Sequence, residues 1–322
     1  MIYIDVDGNL LFDRVFDWGG ILRDHSTEVR IGDQSYLLSS ETGVLTPVPA
    51  EWSISSFFQE RANITVNDKY GFISTGGEIV IPPIYDDASD FNLGSAFVRR
   101  EKELLRIDRD GNILESYGNY CLISRDPQGM RNVYTEKKPC RGFKYFIADE
   151  HMENRIGPFT DADALWDGMQ WVLSWETKRE FYLDATGQSA FEKSENIAYL
   201  SRLCACGRIL FTDNKRGLTG YLDKKGRVAI PARYAEADSF SENRAVFHAS
   251  RQKKALKGLI DEYGHEIIPP MYDTLSSMLE GKIAAEKQGA WGFLDASGQE
   301  VIPFRYKLAS DFHHGIGRVW LE

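Results

Sequence analysis

Apolar and polar positions alternate in short runs, and the runs recur. Toward the C-terminus three stretches open with Gly220-Tyr221-Leu222-Asp223, Gly258-Leu259-Ile260-Asp261 and Gly292-Phe293-Leu294-Asp295. In each, a Gly follows the Asp by three positions, one or two apolar residues come next, and then a Pro (Pro231, Pro269, Pro303). A Tyr stands three residues after each Pro: Tyr234, Tyr272 and Tyr306. The apolar residues before the Asp suit a short strand. The Asp-x-x-Gly reads as a turn in which Gly supplies a positive φ. The apolar run after it, such as Val228-Ala229-Ile230, is a second strand that Pro ends because it cannot donate to a ladder. The first half of the pattern predicts a β-hairpin.

The second half counts from the Tyr. Three residues on stands Ala88, Ala162, Ala237, Leu275 or Ala309; six on stands Phe91, Leu165, Phe240, Met278 or Phe312; nine on comes Gly94, Gly168, Asn243, Gly281 or Gly315. A spacing of three predicts a brief helical turn, of the 3₁₀ kind, closed by Gly or Asn in the left-handed conformation. A last strand follows, with Ala96 and Val98, Ala245 and Phe247, or Ile283 and Ala285 facing one way.

Taking the Asp as an anchor, the same signal recurs upstream at Asp184, Asp149, Asp108, Ser74, Ser40 and Asp5, at intervals of 34 to 41 residues along the whole chain. The predicted fold is all-β: an open, curved array of roughly nine units of about 36 residues, each a β-hairpin, a short helical turn and a third strand. The alternative is a closed, propeller-like ring. That form often borrows a strand from the opposite terminus, whereas here the first unit starts at its own first strand and the last ends with Arg318-Val319-Trp320-Leu321. Residues 1–100 form partly degenerate repeats, 101–215 depart furthest from the pattern, and 216–322 hold the three regular copies.

The run Trp291-Gly292-Phe293-Leu294-Asp295…Gly298…Ile302-Pro303…Tyr306…Ala309…Phe312…Gly315…Val319 resembles the WG-repeat, or KWG-repeat, family of bacterial proteins. Tyr70–Val98 and residues 219–319 carry the resemblance. The Trp of that dipeptide stands in register only at Trp291; Tyr70, Thr219 and Lys257 replace it elsewhere, and Trp18-Gly19 is out of register. The resemblance implies a β-rich repeat fold and no shared enzymatic activity.

Composition narrows the function classes. With 38 basic against 48 acidic side chains the net charge is −10, which argues against nucleic acid or an anionic membrane as partner and favours a basic protein surface. No apolar run approaches the roughly 20 residues of a membrane span. The opening residues have no basic segment leading into an apolar one, so a cytoplasmic protein is expected. Cys121, Cys140, Cys204 and Cys206 fit neither a disulfide framework nor a zinc site, and Cys204 and Cys206 suit buried packing in a strand.

No nucleophile elbow, phosphate loop or His-Glu-x-x-His motif occurs, so no enzyme, cofactor or metal is expected. Asp5-Val6-Asp7-Gly8-Asn9 and Asp108-Arg109-Asp110-Gly111-Asn112 place Gly fourth, where a calcium-binding EF-hand loop needs it sixth, and read as hairpin turns. His313-His314 reads as a surface turn. Two features remain. Acids recur after each Tyr, and the candidates for partner contact among them are Asp86, Asp87, Asp161, Asp163, Glu236 and Asp238. In an array these align into a stripe that would steer a basic partner, or they cap the helical turns. Trp166, Trp171 and Trp175 crowd into the aberrant middle: Trp166 is expected in the core, Trp171 either on an outward-facing position or in the core, and Trp175 at the rim, with Trp171 and Trp175 the further candidates for partner contact. The expected function is a non-catalytic protein-binding repeat protein, for instance a cytosolic immunity protein masking a toxin's active site; a carbohydrate-binding or hydrolytic module and a structural scaffold are the alternatives.

Overall fold

The computed structural model describes residues 1–124, 132–135, 144–149, 151–252 and 254–321; Cys140 lies outside them. Every regular element among the described residues is a strand, and all the strand pairings named below are antiparallel. The chain divides into two compact units, one of Met1 with residues 12–158 and one of residues 2–11 with 159–322. The first unit holds four-stranded sheets running from Trp18 to Pro47, Ser53 to Tyr85 and Asp87 to Ser116. The second holds four-stranded sheets from Ile197 to Tyr234, Glu236 to Tyr272 and Thr274 to Tyr306. It ends in a three-stranded sheet in which Gly317–Trp320 lies between Leu308–Ala309 and Ile2–Ile4.

The predicted hairpins are present, but the sheets are cut at a different place from the repeats. Each four-stranded sheet joins the last two strands of one repeat to the hairpin of the next. Asp87–Ala88 and Ser95–Arg100, for example, continue into Glu103–Asp108 and Ile113–Ser116. The expected count of nine units is therefore not borne out by the sheets. The expected helical turn is also absent. Ala88 lies in a two-residue strand paired with Val98, Phe91 drops into the core, and Leu93-Gly94 forms a two-residue hairpin turn with both φ angles positive, at 50° and 76°. The Gly or Asn nine residues after the Tyr is the second residue of that turn rather than a helix cap. A spacing of three arises here because an extended strand and a tight turn happen to place apolar residues at that interval.

Strands were expected to hide one face and show the other. In Ser95–Val98 all four residues are buried, as are Ala245–Phe247 and Ile283–Ala285. These strands are central in their sheets, and apolar side chains cover both faces, so no outward face exists. The expectation that neither terminus lends a strand to the other fails as well. Ile2, Tyr3 and Ile4 pair with Val319, Arg318 and Gly317, so the last sheet is completed from the opposite end of the chain.

The Asp anchors earn their recurrence through hydrogen bonds. Asp5, Asp108, Asp223, Asp261 and Asp295 each accept the backbone N–H groups two and four residues on, at 2.8–3.0 Å. The Asn9 side chain and backbone hold the Asp5 carboxyl below its usual range; Asn112 does the same for Asp108, and the Ser297 hydroxyl for Asp295. A depressed carboxyl contributes stability that is present above its unfolded value of about 3.9 and lost as pH falls through the folded one. Acid titration followed by circular dichroism should therefore unfold the chain below pH ~4. Asp295→Ala should move the transition to higher pH.

A further regularity joins successive sheets. Where the first residue of a tight turn carries an acceptor of sufficient reach, it accepts from the backbone of the next turn. Asp24 accepts the Glu60 N–H (2.9 Å), Gln59 that of Gly94 (2.8 Å), and Asp167 that of Gly207 (2.5 Å). Glu242 accepts from Glu280 and Gly281, and Glu280 from His314 and Gly315, at 2.5–2.8 Å. Two adjacent N–H groups in a turn with positive φ form a concavity suited to a carboxylate. At Cys206 this place is filled by sulfur, which accepts from the Asn243 N–H at 3.4 Å, a weaker bond. Cys206→Asp should stabilise the second unit by about 1 kcal/mol, read as a rise in the urea midpoint without a change in slope.

Candidate binding surface

The residue directly after the Tyr is a turn clamp where it is acidic. Asp86 accepts from the Lys69 ammonium and from the Glu101 backbone at 2.5 Å, and Asp273 holds Gln288 in the same way at 2.7 Å; Asp17, which follows Phe16, does the same for Gly32 at 2.7 Å. The hydrogen bond from Lys69 holds the Asp86 carboxyl below its ordinary range. Because no helix follows the Tyr, the expected helix-capping role of these acids does not apply.

The next residue sits on the two-residue edge strand, opposite a residue of the neighbouring strand. Asp87 faces Arg99 in register, Glu236 lies 3.1 Å from His248, Thr274 donates to Glu286 at 2.8 Å, and the Arg30 guanidinium lies over the Trp18 ring. Cross-strand pairs of this kind stabilise a sheet and offset charge at its edge. The row is thus chemically mixed rather than a continuous acidic stripe. Asp238 is exposed, and its carboxylate has no hydrogen-bond or ion-pair partner among the described residues. Asp86 and Asp87 belong to the first unit, and Asp161, Asp163, Glu236 and Asp238 to the second.

Around Asp161 a denser constellation forms. Asp161 pairs with Arg202 at 2.9 Å, and the Arg202 guanidinium lies 3.9 Å from the centre of the Trp171 ring. The Trp171 indole N–H donates to Glu180 (3.2 Å), whose other oxygen accepts from Lys193 (2.6 Å). Trp171 is only 2% exposed and packs with Tyr182, Leu200 and Ile209, which corrects its placement on an outward face. Its strand, Met169–Ser174, is central and covered on both sides. Trp166 shows the opposite: expected in the core, it is 40% exposed, because the bulge between Ala162 and Leu165 shifts the register there. Trp175 is half-buried with the Lys178 ammonium over its ring. Asp163 accepts its neighbour Ala164's N–H at 2.8 Å.

Arg202, Glu180 and Lys193 carried no signal in the repeat spacing. Arg202 lies where the register of Ile197–Ala205 slips between Leu200 and Cys204, and only the departure from the repeat pointed to the region. Tyr199, on the same strand, is 54% exposed. Chemically the site offers a half-exposed guanidinium held flat by an aromatic ring and a carboxylate, a donor array without a poised nucleophile. Among the described residues no group of His, Cys, Asp and Glu is arranged to hold a metal. Cys204 is buried, which pushes its thiol up to about 12 and leaves it inert. Cys206 differs from the buried strand residue expected, since it occupies a half-exposed turn with φ at 50°.

Comparison with known sequences meets this geometry at the regular hairpins. Residues 70–102, 220–247, 258–289 and 291–319 match the model of the WG containing repeat. The family match is confined to these four stretches. The matched segments contain the Gly that opens each hairpin strand, the Asp or Ser anchor and the Pro-Tyr strand, while 103–219 lie outside every match. No curated protein matches. Solved structures with a similar course of strands include a eukaryotic initiation factor at 10% identity, covering 93% of this chain and 79% of the other, with a TM-score of 0.44. Hsv2p of Kluyveromyces lactis follows at 7% identity, 77% and 93% coverage and 0.40. Virginiamycin B lyase from Staphylococcus aureus follows at 14%, 71% and 89%, and 0.35.

Proposed function

We propose that this WG-repeat chain is a non-catalytic binding scaffold that grips another protein, with Arg202 and the aromatic surface around it as the anchor. The observation that supports this most is Arg202 itself. It is half-exposed yet pre-oriented between Asp161 and Trp171, in a stretch outside the matched repeats. Arg and aromatic residues dominate binding hot spots, because a rigid side chain loses little entropy on contact. The net charge of −10 and the unpaired Asp238 favour a partner with a basic surface, drawn in by long-range attraction. A cytosolic immunity protein that covers a toxin's cleft is the concrete form of this reading.

The test is co-expression with the product of the neighbouring gene, followed by co-purification and a measured affinity. Arg202→Ala should weaken the complex at least tenfold, a loss of about 1.4 kcal/mol, with the circular dichroism spectrum unchanged. An affinity unmoved by Arg202→Ala would remove this surface from the interface. Binding to immobilised glycans without any protein partner would favour the carbohydrate reading instead.

A further inference from the structure

The segment from Ile2 to Leu11 forms a small hairpin of its own. Asp5 and Asn9 close its turn, Ile4 bridges to Leu10, and the Leu11 N–H donates to the Tyr3 carbonyl at 3.0 Å. One strand of it, Ile2–Ile4, lies along the edge of Gly317–Trp320 through three residue pairs. Ile2 and Ile4 enter a core with Phe293, Ile302, Phe312 and Val319. Their neighbours Met1 and Phe12 belong to the first unit, so this hairpin is a short insert docked in the second. The docking is incomplete. A cavity of about 320 Å³ opens among Ile2, Ile4, Leu10, Tyr306 and Leu321, and Leu10 and Leu321 are each 48% exposed.

We propose that the edge of Gly317–Trp320 is a strand-acceptor site, and that its partner in trans is the 2–11 hairpin of a second copy of this chain. The contacts that seat the hairpin are the same whether it comes from its own chain or another, which is the condition for exchange of an element between copies. In strand addition an extended segment pairs with a sheet strand and its alternate side chains fill pockets, which is how Ile2 and Ile4 are seated along Gly317–Trp320. Within one chain the hairpin acts at an effective concentration on the order of millimolar, so the single-chain form dominates when dilute and exchange emerges when the docking in cis is weakened or the chain is concentrated.

A fluorescent peptide with the sequence of residues 1–11, titrated into the full chain, tests the acceptor. It should bind Ile4→Asp, whose own hairpin is a poor competitor, at least tenfold more tightly than the unaltered chain, and a scrambled peptide should not bind. Equal affinity for both chains, or equal binding by the scrambled peptide, would overturn the proposal. If circular dichroism shows Ile4→Asp to be unfolded, Ile2→Asp, at the end of the pairing, takes its place. Sedimentation of the unaltered chain gives an independent reading that needs no variant. Dimers should appear as the concentration approaches millimolar and dissolve in excess peptide. A chain that stays monomeric throughout, or dimers indifferent to the peptide, would rule out the second copy as donor.

Discussion

Replacing Gly71 by Ala is expected to destabilise the first unit by about 3 kcal/mol or more, at the upper end of what overpacking costs. Gly71 is the second residue of the Tyr70-Gly71 pair that opens a matched repeat. Across from it the partner strand carries Pro82 and Pro83 in a register slip: Tyr70 pairs with Tyr85 and Phe72 with Ile81, so three residues face the single Gly. A Cβ there would stand 2.5 Å from the Ile81 carbonyl oxygen, 2.6 Å from the Pro83 nitrogen and 2.7 Å from the Pro82 carbonyl carbon. All three are backbone atoms within a paired strand, and none can move aside as a flexible side chain would. The same crowding recurs at Gly292 against Ile302 and Phe304. Gly76→Ala is the control, since its nearest neighbour is a Ser74 hydroxyl at 3.7 Å, and it should be close to neutral. Urea unfolding of the two variants, with unchanged slopes, separates these outcomes.

This pairing of Gly with Pro explains what was legible in the sequence and what was not. Gly, Asp, Pro and Tyr recur at fixed intervals because each meets a backbone demand inside one hairpin, and such local demands appear directly as spacing. Tertiary demands do not. The left-handed conformation expected at Gly94 is present, yet the spacing of Ala88, Phe91 and Gly94 by three suggests a helix where the chain is extended and then turns sharply. Whether a strand is covered on one face or both depends on its neighbours, so the sequence leaves Trp171 open to either placement and puts Trp166 inward, whereas the fold buries Trp171 and exposes Trp166.

The surface follows the same division. Recurring acids were visible, but their partners were not, because Arg99 and His248 stand opposite Asp87 and Glu236 across a ladder and Lys69 reaches Asp86 from a separate strand. Once those pairs are drawn, the acidic row loses its uniformity and Asp238 is left as its unpaired member. Arg202 was invisible for a related reason. Its position depends on a bulge, and a bulge breaks the periodicity that a sequence reading relies on.

Phe312→Ala should cost about 3–5 kcal/mol, the largest loss expected from a single truncation in the core. Phe312 is 1% exposed and meets Phe293 edge to face, with ring centres 4.8 Å apart and planes at 67°. The same contact, at the same 4.8 Å, joins Phe72 to Phe91 and Tyr221 to Phe240, so in these three repeats the aromatic six residues after the Tyr locks the hairpin to the segment that precedes the tight turn. Phe312 also covers Gly317, where a Cβ would lie 2.9 Å from its ring, and it shares a core with Ile2 and Ile4. Its loss should therefore free the N-terminal hairpin as well as loosen the last sheet. Hydrogen exchange distinguishes these effects. In Phe312→Ala the amides that join Ile2–Ile4 to Gly317–Val319 should lose protection, whereas Phe91→Ala, with a comparable loss of stability in the first unit, should leave them protected. If both variants exposed those amides equally, the last sheet would not depend on its own aromatic pair, and Phe312 could not be the residue that seats the hairpin.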